Sequence, residues 1–193
     1  MTLAEVRLWG RTIGAVSLED GGRVAAFQYD PAFAASGIEV SPITMPLRDG
    51  VYLFPDLPEQ TFHGLPGLLA DSLPDRFGNA LMDAWLATQG RAPESFNAVE
   101  RLCYTGARGM GALEFVPALG PKPKTAKKIE IDALVSLASE ILSQRGSLRT
   151  SFASDRRKNA LNDILRVGTS AGGARAKAVI AWNPETNEVR SGQ

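Results

Sequence analysis

Apolar positions fall into three short clusters at the start of the chain: Val6, Leu8 and Trp9; Ile13, Val16 and Leu18; Val24, Ala26 and Phe27. Gly10-Arg11 and Asp20-Gly21-Gly22 separate them. Short apolar runs punctuated by glycine are hairpin signals, so residues 3–29 predict a small antiparallel meander. Tyr29-Asp30-Pro31 ends it, and Ala32 to Gly37 reads as one helical turn closed by glycine. Ile43 to Phe54 reads as extended, with a turn at Arg48-Asp49-Gly50.

The period then changes. Ser72-x-x-Asp75 resembles a capping box, with Pro74 tolerated in a first turn, and Phe77, Leu81 and Trp85 recur every four residues as one stripe. Gly90 is the expected C-terminal stop. A second helix is predicted over Phe96–Tyr104, then a glycine cluster, Gly106 to Gly111, and a strand from Ala112 to Pro117. Further on, Asp132 caps a helix carrying Leu134, Val135, Leu137, Ala138, Ile141 and Leu142, ended by Arg145-Gly146. Leu161–Val167 reads as a short helix. Ala178–Trp182 and Glu188–Ser191 read as the two arms of a hairpin. The expected class is α+β: an antiparallel meander with packed helices, followed by a helix, a glycine-rich loop and a β-hairpin.

Composition narrows the setting. The 193 residues are 44% hydrophobic and 22% charged, ordinary for a globular chain that buries a core. Cys103 is the sole cysteine, which excludes an intrachain disulfide and points to a reducing compartment. Residues 1–7 have no signal-peptide pattern, and no apolar run approaches membrane-spanning length, so a cytoplasmic protein is expected. The net charge of zero hides an asymmetry. Residues 1–120 hold 8 Arg and no Lys against 14 acidic residues (−6), whereas 121–193 hold 13 basic against 7 acidic residues (+6). Such halves suit an acidic partner, phosphates or mutual attraction. Pro121 to Lys128 alternates proline with lysine and reads as a solvated linker. The expected divisions are 1–120, a linker at 121–131, and 132–193.

The densest chemistry lies in Val167-Gly168-Thr169-Ser170-Ala171-Gly172-Gly173-Ala174-Arg175-Ala176-Lys177. Glycines let backbone N–H groups converge on phosphate oxygens, and Arg175 and Lys177 would add charge. It is no Walker A loop, because Ala174 follows Gly173 where lysine is required. Nor is it a dinucleotide fingerprint, because its strand follows the glycines. From spacing alone, an ordinary glycine-rich turn stays open beside an anion loop. The other candidates have structural readings. Asp71, Asp75 and Asp83 suit a helix start and its outer face. His63 lacks enough partners for a zinc site and reads as a loop histidine, although a triad is not excluded by spacing. Cys103 reads as a small buried hydrophobe. Arg108 within Gly106–Gly111 could serve a second phosphate loop or a mere corner. Arg149, Arg156, Arg157 and Lys158 have one aromatic neighbour, Phe152, so direct nucleic-acid binding is not expected.

Ser170-Ala171-Gly172-Gly173-Ala174-Arg175-Ala176-Lys177 resembles the glycine-rich loop of HipA-type kinases, toxins of bacterial toxin–antitoxin systems. Gly67-Leu68-Leu69-Ala70-Asp71-Ser72-Leu73-Pro74-Asp75, Arg101 to Gly106, and Gly109 to Phe115 resemble the same family's N-terminal region, in the same order. The resemblance implies an ATP- and Mg-dependent serine/threonine kinase whose loop serine, here Ser170, is autophosphorylated. The nucleotide-phosphate loop would then comprise Gly168, Thr169, Ser170, Ala171, Gly172, Gly173, Ala174, Arg175 and Lys177. It also implies that 132–193 begins a kinase-like small lobe, and that the partner is a small DNA-binding antitoxin of HipB type.

Phosphoryl transfer also needs metal-binding groups and a nucleophile-positioning base. After Lys177 the only carboxylates are Glu185 and Glu188. Family members carry the remaining machinery in a C-terminal lobe, and their ATP-facing lysine would fall just beyond Gln193. The 193 residues are therefore expected to be incompetent in catalysis without that lobe. The alternative is a non-enzymatic module that binds a separate kinase chain or an antitoxin through its acidic part. An exposed edge at the C-terminal hairpin would promote a homodimer.

Overall fold

The computed structural model describes residues 1–121 and 180–191, together with positions 135, 136 and 139. The chain divides into two compact units, one of Met1–Leu73 with Asn97–Gly120, the other of Pro74–Phe96 with Pro121–Gln193.

The first unit is built on the expected meander. Strands β1 (Thr2–Leu8), β2 (Arg11–Leu18) and β3 (Ala26–Tyr29) pair antiparallel in sequence order. The first turn is Trp9-Gly10, one residue earlier than the Gly10-Arg11 expected, because Leu8 pairs with Arg11 and both intervening residues take positive φ (49° and 77°). Most of the segment Ile43–Phe54 is not strand. Only β4 (Val51–Tyr52) pairs, against β3, since prolines upstream cannot donate to a ladder. Strand β5 (Leu113–Val116) returns beside β1 and completes a five-stranded sheet of order β4-β3-β2-β1-β5. That return, across a long stretch of intervening chain, has no local signal.

Alternation sets the inner face. Ala4 and Val6 on β1, Ile13, Val16 and Leu18 on β2, Phe27 and Tyr29 on β3, Tyr52 on β4, and Leu113 and Phe115 on β5 are all buried. Val16 faces Phe27, Phe27 faces Tyr52, and Val6 faces Phe115 across the ladder. Phe27 and Tyr29 meet edge to face with ring centroids 5.0 Å apart. Gly14 is required where it sits: a Cβ there would lie 2.3 Å from the Gln28 carbonyl oxygen.

Helix α5 (Ala98–Thr105) packs on this face through Ala98, Val99, Leu102 and Cys103. Its start is a complete capping box: Asn97 Oδ1 accepts from the Glu100 N–H at 2.9 Å, and Glu100 Oε2 accepts from the Asn97 N–H at 2.9 Å. Asn97 Nδ2 also donates to Thr2 Oγ1 at 2.8 Å, tying the helix start to β1. Helix α1 (Pro31–Ala34) is the expected single turn, with Asp30 Oδ1 accepting from the Ala32 and Phe33 N–H groups. Two more one-turn helices, α2 (Glu59–Phe62) and α3 (Gly67–Ala70), stand where the sequence showed only loop and motif.

In the second unit, α4 (Arg76–Thr88) follows Asp75, whose Oδ1 accepts from the Gly78 N–H at 2.8 Å. Asp75 is thus the N-cap itself, and not the fourth position of a box begun by Ser72. Pro74 precedes the cap. Phe77 and Leu81 of the expected stripe are buried, Trp85 is half-buried, and Gly90 follows the helix in the left-handed region (φ 71°). Strands β6 (Ile180–Asn183) and β7 (Glu188–Ser191) form the expected hairpin.

Candidate functional site

All the residues expected to form a nucleotide-phosphate loop, from Gly168 to Lys177, lie outside the described residues, as do the linker and the helix expected after Asp132. The hairpin downstream of them is described. Asn183 Oδ1 accepts from the Glu185 and Thr186 N–H groups, closing the turn. Trp182 pairs with Val189, is 59% exposed, and donates its indole N–H to Asn187 Oδ1 at 3.1 Å. Glu188 engages Arg190 on the same arm.

The first unit shows what its candidates do. Arg108, within the second glycine cluster, is 6% exposed. Its guanidinium stacks over the Tyr104 ring (4.8 Å to the centroid) and donates to the Tyr104 carbonyl. Gly120 leaves room for that guanidinium, because a Cβ there would lie 2.2 Å from Arg108 Nη2. The cation therefore points into the unit, and the corner reading of Gly106–Gly111 holds over a phosphate loop. His63 is exposed and ends α2 in a left-handed conformation (φ 52°), a loop position as expected. Asp71, expected at the start of the helix carrying Phe77, instead ends α3 and is exposed, so Asp75 alone caps α4. Cys103 is 1% exposed, and burial pushes its thiol up to about 11, so it is an inert apolar side chain at neutral pH. Among the described residues no group of three or more His, Cys, Asp or Glu could hold a metal ion, and no helix is long and apolar enough to cross a membrane.

Three features escaped the sequence. The outer sheet face carries a polar cluster. Arg7 Nε and Nη2 donate to the two Glu5 carboxylate oxygens at 2.8 and 2.9 Å, and the Thr12 hydroxyl also donates to Glu5. The Arg7 guanidinium, then Thr12, hold the Glu5 carboxyl below its usual range. Glu5 and Thr12 also line a concavity of about 350 Å³ with Gln28 and Asp30. A cleft of about 430 Å³ opens beyond the paired residues of β3 and β4, walled by Val24, Phe54, Pro55 and Leu57 and lined also by the ion-paired Arg23 and Glu59. Third, the β1–β2 turn presents Trp9 at 81% exposure. Only the last had a sequence signal: an apolar residue directly before Gly10, read as the end of a strand instead of as the turn itself.

No curated protein matches the chain. A family model described as the HipA N-terminal domain matches residues 4–116. That interval runs from the third residue of β1 to the final residue of β5, so it takes in all five strands but for Thr2 and Leu3, and the helices between them. It covers more than half of the 193 residues, and the three upstream motifs all lie inside it. On that match the chain belongs to the HipA family, as a HipA-like N-terminal portion.

Proposed function

We propose that this chain is the N-terminal portion of an ATP-dependent protein serine/threonine kinase toxin, with an autophosphorylatable glycine-rich loop and no catalytic competence of its own without a C-terminal lobe. The observation that carries the reading is the family match over residues 4–116, continued in order by the glycine-rich stretch at 168–177. When bound, ATP with Mg supplies the transferable phosphoryl group. On this reading Gly168, Gly172 and Gly173 would offer backbone N–H groups to phosphate, and Arg175 and Lys177 would offer charge.

Ser170 sits among these residues. A phosphate placed there would add close to two negative charges where ATP phosphates should lie, so self-phosphorylation works as an off-switch by repulsion. The partner on this reading is a HipB-like DNA-binding antitoxin. The test is phosphosite mapping of the complete protein after incubation with MgATP. Phosphate on Ser170, lost in Ser170→Ala, is the expected result. Phosphate retained on the loop in Ser170→Ala overturns the assignment.

A second reading has one specific observation in its favour. The first unit has its own core and outer-face polar network, with cations turned inward or paired: Arg108 on Tyr104, Arg7 on Glu5. On that reading the unit binds a separate kinase chain or an antitoxin through its acidic residues and carries out no chemistry of its own.

A further inference from the structure

We propose that α4 is the interior helix on which the second unit is assembled, and that residues 132–145 of this same chain dock along it. The inference is independent of the kinase reading, because it rests on burial and helical phase.

The burial of α4 runs round the helix. The sequence predicts a single stripe of Phe77, Leu81 and Trp85. Gly78, Ala80, Met82, Ala84 and Leu86 are buried as well, and only Arg76 and Thr88, at the two ends, are exposed. At about 100° per residue these positions reach most of the circumference, the pattern of a helix inside a core and not of one lying on a surface. None of its side chains belongs to the apolar cluster beneath the five-stranded sheet. Residues 74–96 form their compact unit with 121–193 instead.

Little of the described chain is left to cover it. Phe96 meets Trp85, with ring centroids 6.3 Å apart. The β6–β7 hairpin does not supply the rest, since residues 181–187 are exposed. That leaves the chain between 121 and 179, whose longest apolar pattern is Leu134, Leu137, Ala138, Ile141 and Leu142. Three positions within that pattern fix its phase: Val135, Ser136 and Ser139 are helical and exposed, Val135 at 59%. On a helix these three share one face, and Leu134, Leu137 and Ile141 fall opposite them.

Length and shape agree. As helices, 132–145 and α4 each span about 20 Å, so one can lie along the other over its full extent. On α4 the Ala80–Ala84 row runs beside the Phe77–Leu81 row, small beside large, which is what ridge-and-groove packing of a leucine-rich helix requires. The family-matched stretch is then not a folding unit by itself. Helix α4 lies inside 4–116, yet the second unit is built on it. A chain cut after Val116 would leave Phe77, Leu81, Met82 and Leu86 without cover and expose an adhesive apolar patch.

The experiment places the photo-crosslinking residue benzoylphenylalanine at position 137 of the full chain and maps the linked peptides by mass spectrometry. The link should fall on the α4 peptide, 76–88, within one chain. The same residue at position 135 should reach none of α4. Links from position 137 to the sheet strands, to a second copy, or to no part of α4 overturn the proposal. A second measurement asks the core to accept no larger side chain. By hydrogen exchange, the α4 amides should exchange at least tenfold faster in Leu137→Ala than in the parent, and at the parent's rate in Val135→Ala. An α4 that exchanges in Leu137→Ala as it does in the parent overturns the docking. None of these outcomes touches the phosphosite test of Ser170, so the two readings fail separately.

Discussion

The two faces of the five-stranded sheet are made from alternate residues of the same strands and do opposite work. Phe27 is fully buried on the inner face, with Val16 and Tyr52 opposite it. Its chain neighbour Gln28 points outward beside Ala15 and Val51 and is exposed. The inner face excludes water and fixes register, because a slip of one residue would exchange the two sets. The outer face holds the Glu5–Arg7–Thr12 network, whose groups remain partly hydrated. What differs between the faces is not the strand but the cost of changing a residue on it.

The largest expected effect tests that difference at adjacent positions. Phe27→Ala should cost about 3–5 kcal/mol, from lost burial and the cavity left behind, and Gln28→Ala no more than about 0.5 kcal/mol. Chemical denaturation of the two variants checks both. Comparable losses would break the assignment of faces.

Next comes an alkaline limb. Burial raises the Tyr29 phenol to about 12 and the Cys103 thiol to about 11. Each acid is neutral and buried when folded but ionises nearer its ordinary value when unfolded. Their contribution is complete below pH 9 and is lost as pH rises toward 12. Thermal melts across pH 8–12 should show Tm falling through this window. A Tyr29→Phe variant should fall less there, although it gives up the hydrogen bond to the Met45 carbonyl (2.8 Å).

At the margin of the inner face, Asn97→Ala removes the α5 cap and the link to Thr2. It should cost about 1 kcal/mol by denaturation. The smallest effect belongs to the outer face. Glu5 has a depressed folded pKa, so its contribution is present above the ordinary carboxylate value of 4.5 and lost as pH falls through the folded value. Glu5→Gln should flatten that acid limb slightly, and added salt should shrink the difference, since the pair is about one-third exposed.

Much of the inner face was legible because alternation and glycine punctuation are local. Val6, Ile13, Val16 and Phe27 announce three strands and their core side without help from the rest of the chain. The Asn97–Glu100 box went unread because Phe96 before it is apolar and looked like part of the helix. Ser72 was misjudged as a cap because Asp75, three residues on, fits either end of the motif, and only the Gly78 N–H decides between them. The pairing of β5 with β1 could not be read at all, since tertiary packing chooses it. The same holds for the cleft beside Arg23 and Glu59, which is walled by residues just before β3 and just after β4. Arg108 shows how the chemistry of a residue misleads: flanking glycines suggested an offered cation, and the Tyr104 ring and carbonyl take it inward. The Gly168–Lys177 stretch is the part of the candidate site that rests on sequence alone.

The most direct test of the central claim, that these residues are the front end of a self-phosphorylating kinase, is the intact mass of the protein produced from its native gene, with phosphosite mapping in the same run. The account predicts a species heavier than 20.6 kDa that carries phosphate on Ser170. A phosphate-free species of 20.6 kDa would contradict it and leave the interaction module as the reading that stands.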